Sequence, residues 1–279
     1  MSNKPKVFWW TFQDFHKYRE ENKENFGDII TPYLVEKLTG RVPILFDPNF
    51  ILAKYIKHSI MVGSILEISN PNTIVWGTGI VDEKGIIKGG DFKAVRGFKT
   101  IKRLRSLGYK VPDIVGDPAL LLPLIYRNTK SKKYKYGVVC HYVDFEEIKT
   151  IYDGNKDILI INLLTENIEL VIDAILNCEK IISTSLHGII VANAYNIEAK
   201  WWKFSDKLSG SNVKFYDYFE SLGVYNVQFF ESKTIDNELL SDSGFYLPDL
   251  DKIEFIQKGL IRSFPYKIKN KKIKELLSI

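Results

Sequence analysis

Cysteine is nearly absent: Cys140 and Cys178 are the two thiols in 279 residues. They share no short metal-binding spacing and can form at most one bridge, which excludes a disulfide framework and a thiolate zinc site. Both read as small buried apolar side chains. Histidine is also scarce. His16, His58, His141 and His187 fall in no paired ligand spacing with carboxylates or cysteines, so no metal is expected. Long hydrophobic runs are missing as well. The longest cover a handful of residues, well short of the roughly 20 that cross a bilayer. The N-terminal KVFWWTF has neither the length nor the cleavage site of a signal peptide. A soluble, cytoplasmic protein is the expectation.

Net charge is small except at one end. Residues 262–279 carry Arg262, Lys267, Lys269, Lys271, Lys272 and Lys274 against Glu275 alone, and so hold the whole formal charge of +5. Ile268, Ile273, Leu276, Leu277 and Ile279 interleave these cations. That pattern fits a solvated terminal helix packed on the body, and it also fits peripheral contact with the inner face of an anionic cell membrane. The chain has no nucleic-acid-reading module and no interleaving of basic with exposed aromatic residues, so a nucleic-acid partner is not expected.

What the chain does have is apolar material, 45% of residues against 26% charged, enough for one large or two medium domains. Its periodicity alternates strand with helix. KVFWW reads as a strand, DIITPYLVEKLT (28–39) as a helix closed by Gly40, and VPILF as a second strand. HSIMVG leads into the short helical SILEIS, TIVWGTGI ends in a glycine turn, FKAVRG precedes the helix FKTIKRLRSLG, and PDIVG precedes a turn at Asp117-Pro118. The polar, basic stretch 126–136 reads as a linker. Beyond it come YGVVCHY, DILIINL, the helix NIELVIDAILNC, KIIST, the helix LHGIIVANAY and AKWWKF. This is the signature of parallel sheets built from βαβ units. The expected architecture is α/β: two Rossmann-like domains, 1–125 and 134–250, facing a cleft at their strand ends, with a basic helical tail, 251–279, crossing back toward the first.

Several chemistry-bearing residues fall where such a cleft would lie. STSLHG (183–188) joins a buried strand to a buried helix and sets His187 in the first helical turn. Backbone N–H groups there lack intrahelical acceptors and the dipole is positive, which suits an anion. One of Ser183, Thr184 and Ser185 is expected to cap the helix. NFGD (25–28) places Asn25, Gly27 and Asp28 at the start of the first long helix, GTGI places Gly77 and Thr78 in a turn after a strand, and VRG places Arg96 at a strand end. Trp9, Trp10, Trp201 and Trp202 have the shape to stack on sugar rings, although alternate members of each pair face a core.

Taken in order, NFGDIITPYLVEKLTG, VWGTGI, AVRGFKTIKRLRSLG, VGDPALLLP, ISTSLHGIIVANAYNI and VKFYDYFESLG resemble the polysaccharide pyruvyl transferases, over roughly residues 24–223. The resemblance implies two Rossmann-like domains in the manner of GT-B glycosyltransferases. It also implies phosphoenolpyruvate as donor, no cofactor, and a saccharide acceptor of a capsular, exopolysaccharide or other cell-envelope polymer, often carried on a lipid. The donor's phosphate and carboxylate call for cations and helix N-termini. Arg96 and His187 match family positions that bind the donor. His187 is the expected acid and Asp28 the expected base or sugar-binding carboxylate. Asn25, Gly27, Gly77, Thr78, Ser185, Gly188 and Lys214 complete the expected substrate contacts. Where many members carry Arg-Leu-His, this chain has Ser185-Leu186-His187, so Lys214, or Lys203 or Lys207, is expected to supply the missing cation. A sugar-nucleotide glycosyltransferase would share the fold but need a base pocket and an acidic ribose contact, neither identifiable in the sequence. A non-catalytic carbohydrate-binding protein would need no acid–base pair.

Overall fold

The computed structural model describes residues 4–11, 23–129, 131–152, 155–208 and 210–277. His16, Ile279 and the side chain of Leu277 lie outside them. The first half contains β1 (Lys6–Phe8), β2 (Glu24–Asn25), α1 (Phe26–Thr39), β3 (Ile44–Leu45), β4 (His58–Ile60), β5 (Thr73–Trp76), β6 (Asp91–Ala94), α2 (Phe98–Ser106) and α3 (Leu122–Ile125). The second contains β7 (Tyr134–Cys140), α4 (Phe145–Tyr152), β8 (Ile158–Asn162), β9 (Leu164–Thr165), α5 (Ile168–Leu176), β10 (Cys178–Ser183), α6 (Leu186–Ala194), β11 (Ala199–Lys203), α7 (Val213–Ser221), β12 (Phe230–Glu231) and α8 (Asn237–Leu240). Helices α9 (Leu250–Ser263) and α10 (Lys271–Leu277) end the chain. Two five-stranded parallel sheets result, ordered β3-β1-β4-β5-β6 and β12-β11-β10-β7-β8. The antiparallel pair β2–β9 ties the two halves together.

Local chemistry sets the boundaries. Gly40 ends α1 in the left-handed region (φ 65°), its N–H returning to Glu36 O, a conformation that costs glycine nothing. Asn167 caps α5 by accepting the Glu169 N–H (2.9 Å), and the helix buries Ile168, Val171, Ile172 and Ile175 along one stripe. Helix α6 is apolar round most of its surface and is buried accordingly, with Leu186, Ile189, Ile190, Val191 and Ala192 all in the core. That core runs without a break from Val7, Leu34 and Leu120 to Val139, Ile190 and Trp201. Cys140 and Cys178 are free and buried, as their scarcity led us to expect.

Two elements differ from the sequence reading. The strand expected over VPILF shrinks to Ile44–Leu45, because Pro43 has no N–H to give to a ladder and β3 is an edge strand. The linker stretch stops short of Tyr136. Residues 134–136 already belong to β7, which is paired on both sides, and the exposed Lys135 broke the apolar pattern.

The C-terminal segment packs on the first half. Trp76 Nε1 donates to Leu260 O (2.9 Å), Tyr266 Oη to Lys6 O (3.1 Å) and Lys269 N–H to Leu38 O (2.8 Å). Ile273 is fully buried, with Ile268 and Leu276 packed against the same core. Among the described residues no helix is long and apolar enough to cross a membrane.

Candidate active site

Parallel strands bring the turns that follow them to one edge of a sheet. Such turns from both halves line a cavity of about 400 Å³. The first half supplies Trp10 after β1, residues 63–65 after β4, and Asn25 and Asp28 around the start of α1. The second supplies His141 and Tyr142 after β7, Ser185 and His187 at the start of α6, and Lys214 in the first turn of α7. A bond from Phe26 N–H to Leu163 O (2.8 Å), continuing the β2–β9 pairing, holds the start of α1 against the second half. Gly27 makes this approach possible: a Cβ there would overlap the His187 imidazole.

The start of α6 is open. Ser185 sits at the N-cap with extended backbone (φ −111°, ψ 139°), yet no side chain caps the helix. The hydroxyl cap expected from the sequence is absent, and two of the three hydroxyls are spent elsewhere. Ser183 Oγ lies 3.0 Å from Val139 O and accepts the Ser185 N–H (3.0 Å), while Thr184 Oγ1 accepts the His141 N–H (2.8 Å). The first-turn N–H groups therefore keep their partial positive charge beside the cavity. His187 Nε2 is buried there with no hydrogen-bond partner among the described residues, a state that costs about 1–3 kcal/mol. Burial, followed by the fields of Arg96, Lys214 and His141, lowers its pKa to about 3, so the imidazole is neutral at pH 7.

Three further groups face this opening. Burial raises the Asp28 pKa to about 6, although the hydrogen bond from Asn25 Nδ2 (2.7 Å) acts the other way. Burial and then the charge of Arg96 lower Lys214 to about 8. His141 is lowered to about 3 by burial and by Lys214. Its Nδ1 accepts the Val143 N–H (3.4 Å), which leaves the proton of the neutral ring on Nε2. At neutral pH the cavity thus presents a carboxylate, an ammonium, two neutral imidazoles and an open helix start.

Arg96 does not line the cavity. It is fully buried, with Nε on Asp217 Oδ2 (3.0 Å), Nη1 on Ser64 Oγ (2.5 Å) and Nη2 on Ile80 O (2.8 Å). Asp217 also accepts the Thr100 N–H (2.9 Å) and hydroxyl (2.7 Å). Gly77, Thr78 and Gly188 likewise stand behind the lining. Gly77 turns at φ 89° against Pro118. Thr78 Oγ1 donates to Gly63 O (2.8 Å) and accepts the Ile65 N–H (3.2 Å), fixing the turn that does line the cavity. Gly188 leaves room for Ser183 and Val139. Of the three lysines considered, Lys203 pairs with Asp206 and Glu231 and Lys207 with Glu147, outside this cavity. Lys214 alone of the three faces it. Trp10 lines the cavity, whereas Trp201 and Trp202 are core residues.

The sequence reading missed His141 and Asp217. His141 ends the apolar strand YGVVCHY and was visible by the strand-end rule that found Arg96. Asp217, one of two carboxylates in an aromatic helix, gave no such signal.

The family model for polysaccharide pyruvyl transferases matches residues 29–199, from the first turn of α1, through Arg96 and His187, into β11. An uncharacterised protein of Acanthamoeba polyphaga mimivirus is 32% identical over 228 residues, covering 79% of each chain. No solved structure gives a significant match. A family match over well more than half of the chain, which takes in the start of α6 with His187 and the turn that carries Arg96, makes this protein a member of the polysaccharide pyruvyl transferase family.

Proposed function

We propose that the protein transfers the pyruvyl unit of phosphoenolpyruvate onto two hydroxyls of one saccharide, forming a pyruvate ketal and releasing phosphate. The observation that carries this reading is the buried, unpartnered His187 Nε2 beside the uncapped start of α6. A phosphate held by the first-turn N–H groups, Ser185 and Lys214 would take up that unsatisfied position. Its negative charge would raise the His187 pKa toward neutrality, so donor binding creates the imidazolium. His187 then protonates the methylene carbon, leaving an electrophilic carbon that bears the carboxylate and the phosphate. Asp28, ionised above about pH 6, takes the proton from the attacking hydroxyl. The second hydroxyl displaces phosphate and closes the ketal. Of the two hydroxyl protons, one balances the proton now in the methyl group and the other leaves with phosphate.

In this reading Lys214 supplies the cation that an arginine two residues before the histidine would otherwise give. Arg96 adds positive field from behind the wall while it holds Asp217. Asn25 and Gly27 position Asp28 and His187, and Trp10 offers a face to a sugar ring. The two halves act as Rossmann-like domains, 1–125 and 134–250, in the GT-B manner, with the cavity at their facing strand ends. The acceptor belongs to a cell-envelope polymer and is carried on a lipid at the inner face of the membrane.

The test is to incubate purified protein with phosphoenolpyruvate and lipid-linked or free oligosaccharides, then analyse the products by mass spectrometry. A mass gain of one ketal with release of phosphate supports the reading. Thermal stabilisation by a nucleotide sugar and not by phosphoenolpyruvate would assign the cavity to a glycosyltransferase instead.

A further inference from the structure

A run of exposed apolar side chains lies where the strands of the first sheet begin. Ile44 and Leu45 on edge strand β3, then Phe50, Ile51, Leu52 and Tyr55 in the segment leading to β4, are all exposed, Ile51 by 79% and Tyr55 by 72%. The segment is held in place. Asn70 Nδ2 donates to Pro48 O (3.3 Å), the Asn72 amide donates to Lys54 O, and Phe46 stacks on His58 at 4.9 Å. The basic C-terminus is its neighbour. Tyr266 is bonded to Lys6 O, and Lys6 pairs with Ile44. The aliphatic chain of Lys269 comes within 3.9 Å of where a Cβ on Gly40 would stand, just before the apolar segment. Lys54, Lys57, Lys267, Lys269, Lys271 and Lys272 are exposed in these two segments, and Asp47 is the single acidic residue of 41–57.

We infer that this surface docks on an anionic phospholipid bilayer. Exposed apolar side chains framed by cations match the two components of an interface, acyl boundary and phosphate headgroups. A second copy fits less well, because an isologous contact would set the same lysines against one another. The tail contributes charge and not insertion: Ile273 is buried and Ile268 and Leu276 are packed on the core, so the apolar contact comes from residues 50–55. The cavity opens beyond the opposite ends of β1 and β4, facing away from the lipid. If the transfer reaction proposed above holds, a lipid-carried acceptor is modified on a sugar remote from its lipid.

Full-length protein is sedimented with vesicles of phosphatidylcholine alone and with vesicles of equal parts phosphatidylcholine and phosphatidylglycerol, without phosphoenolpyruvate, so the result stands apart from the transferase reading. Binding is expected only to the anionic vesicles. The double substitution Phe50→Ser with Ile51→Ser should weaken it at least about tenfold. Lys271→Glu with Lys272→Glu should weaken it roughly tenfold at low salt and less at high salt. Both pairs are exposed, so the thermal midpoint should not move. Parent protein that stays in the supernatant with anionic vesicles overturns the inference, as does unchanged binding by both variants. A parent dimer that Phe50→Ser with Ile51→Ser converts to monomer overturns it too, and assigns the surface to a second copy.

Discussion

The starts of α6 and α2 are built alike and end up doing opposite things. Each follows a strand of a parallel sheet through a short turn, and each places a polar side chain beside the first helical turn: His187 in one, Arg96 in the other. At α6 the polar atom is buried without a partner and the helix is uncapped. At α2 the guanidinium is consumed by Asp217, Ser64 and Ile80 O. The difference comes from what reaches each turn from elsewhere in the chain. Gly97 lets the backbone of α7 come so close that a Cβ would overlap Asp217 O, and the Asp217 carboxylate closes the site. At α6 the neighbour is Gly27, which brings a flat backbone and no polar group to the ring. One helix start is left open, and the other anchors α7, whose Lys214 lies one turn before Asp217 on the same face.

Removing His187 should have the largest effect. His187→Ala is expected to lower turnover by roughly two to four orders of magnitude without lowering the melting temperature, because the buried Nε2 has no hydrogen-bond partner to lose among the described residues. His187→Gln should keep donor affinity and lose turnover. Loss of affinity instead would make the histidine a phosphate ligand and not an acid.

Asp217→Asn tests the closed half of the comparison. Leaving the Arg96 charge buried and unpaired should cost about 3–5 kcal/mol in urea unfolding, whereas the joint change Arg96→Met with Asp217→Leu should cost much less. A single variant as stable as the parent would remove the anchoring role.

Asp28→Asn should separate stability from activity. Folding raises the Asp28 pKa to about 6 from the ordinary value near 4, so its ionised form is disfavoured in the folded state. Stability is therefore lost as pH rises from about 4 through 6, and the asparagine variant avoids that loss. It should be more stable than the parent by ~1–3 kcal/mol at pH 7, equally stable below about pH 4, and inactive if Asp28 is the base. An active variant would remove that role.

Lys214→Ala should raise the donor KM about tenfold, the worth of a charged hydrogen bond, with Lys214→Arg restoring part of it. Since Lys214 is held at about 8, donor affinity in the parent should decline as pH rises through that value. A flat profile would assign the cation elsewhere.

How much of this was legible beforehand follows from the range of the interactions. The alternation of strand and helix, the glycine stop at Gly40 and the placement of His187 depend on neighbours in sequence and were readable. So was the strand-end position of His141, although it was passed over. The Arg96–Asp217 pair spans 121 residues, and local patterning carries no information at that range. The missing cap on α6 was hidden for a related reason: Ser183 and Thr184 have the chemistry to cap, but β7 offers them Val139 O and the His141 N–H instead.

The central claim is that His187 is neutral at rest and charged by its donor. With four histidines in the chain, the imidazole nitrogens can be followed by ¹⁵N NMR through a pH titration, His187→Ala supplying the assignment, with and without phosphoenolpyruvate. The account predicts a ring that stays neutral down to well below pH 5 alone and becomes protonated near neutral pH when phosphoenolpyruvate binds. A His187 resonance that titrates near its ordinary value in the free protein, or that ignores saturating phosphoenolpyruvate, would contradict it.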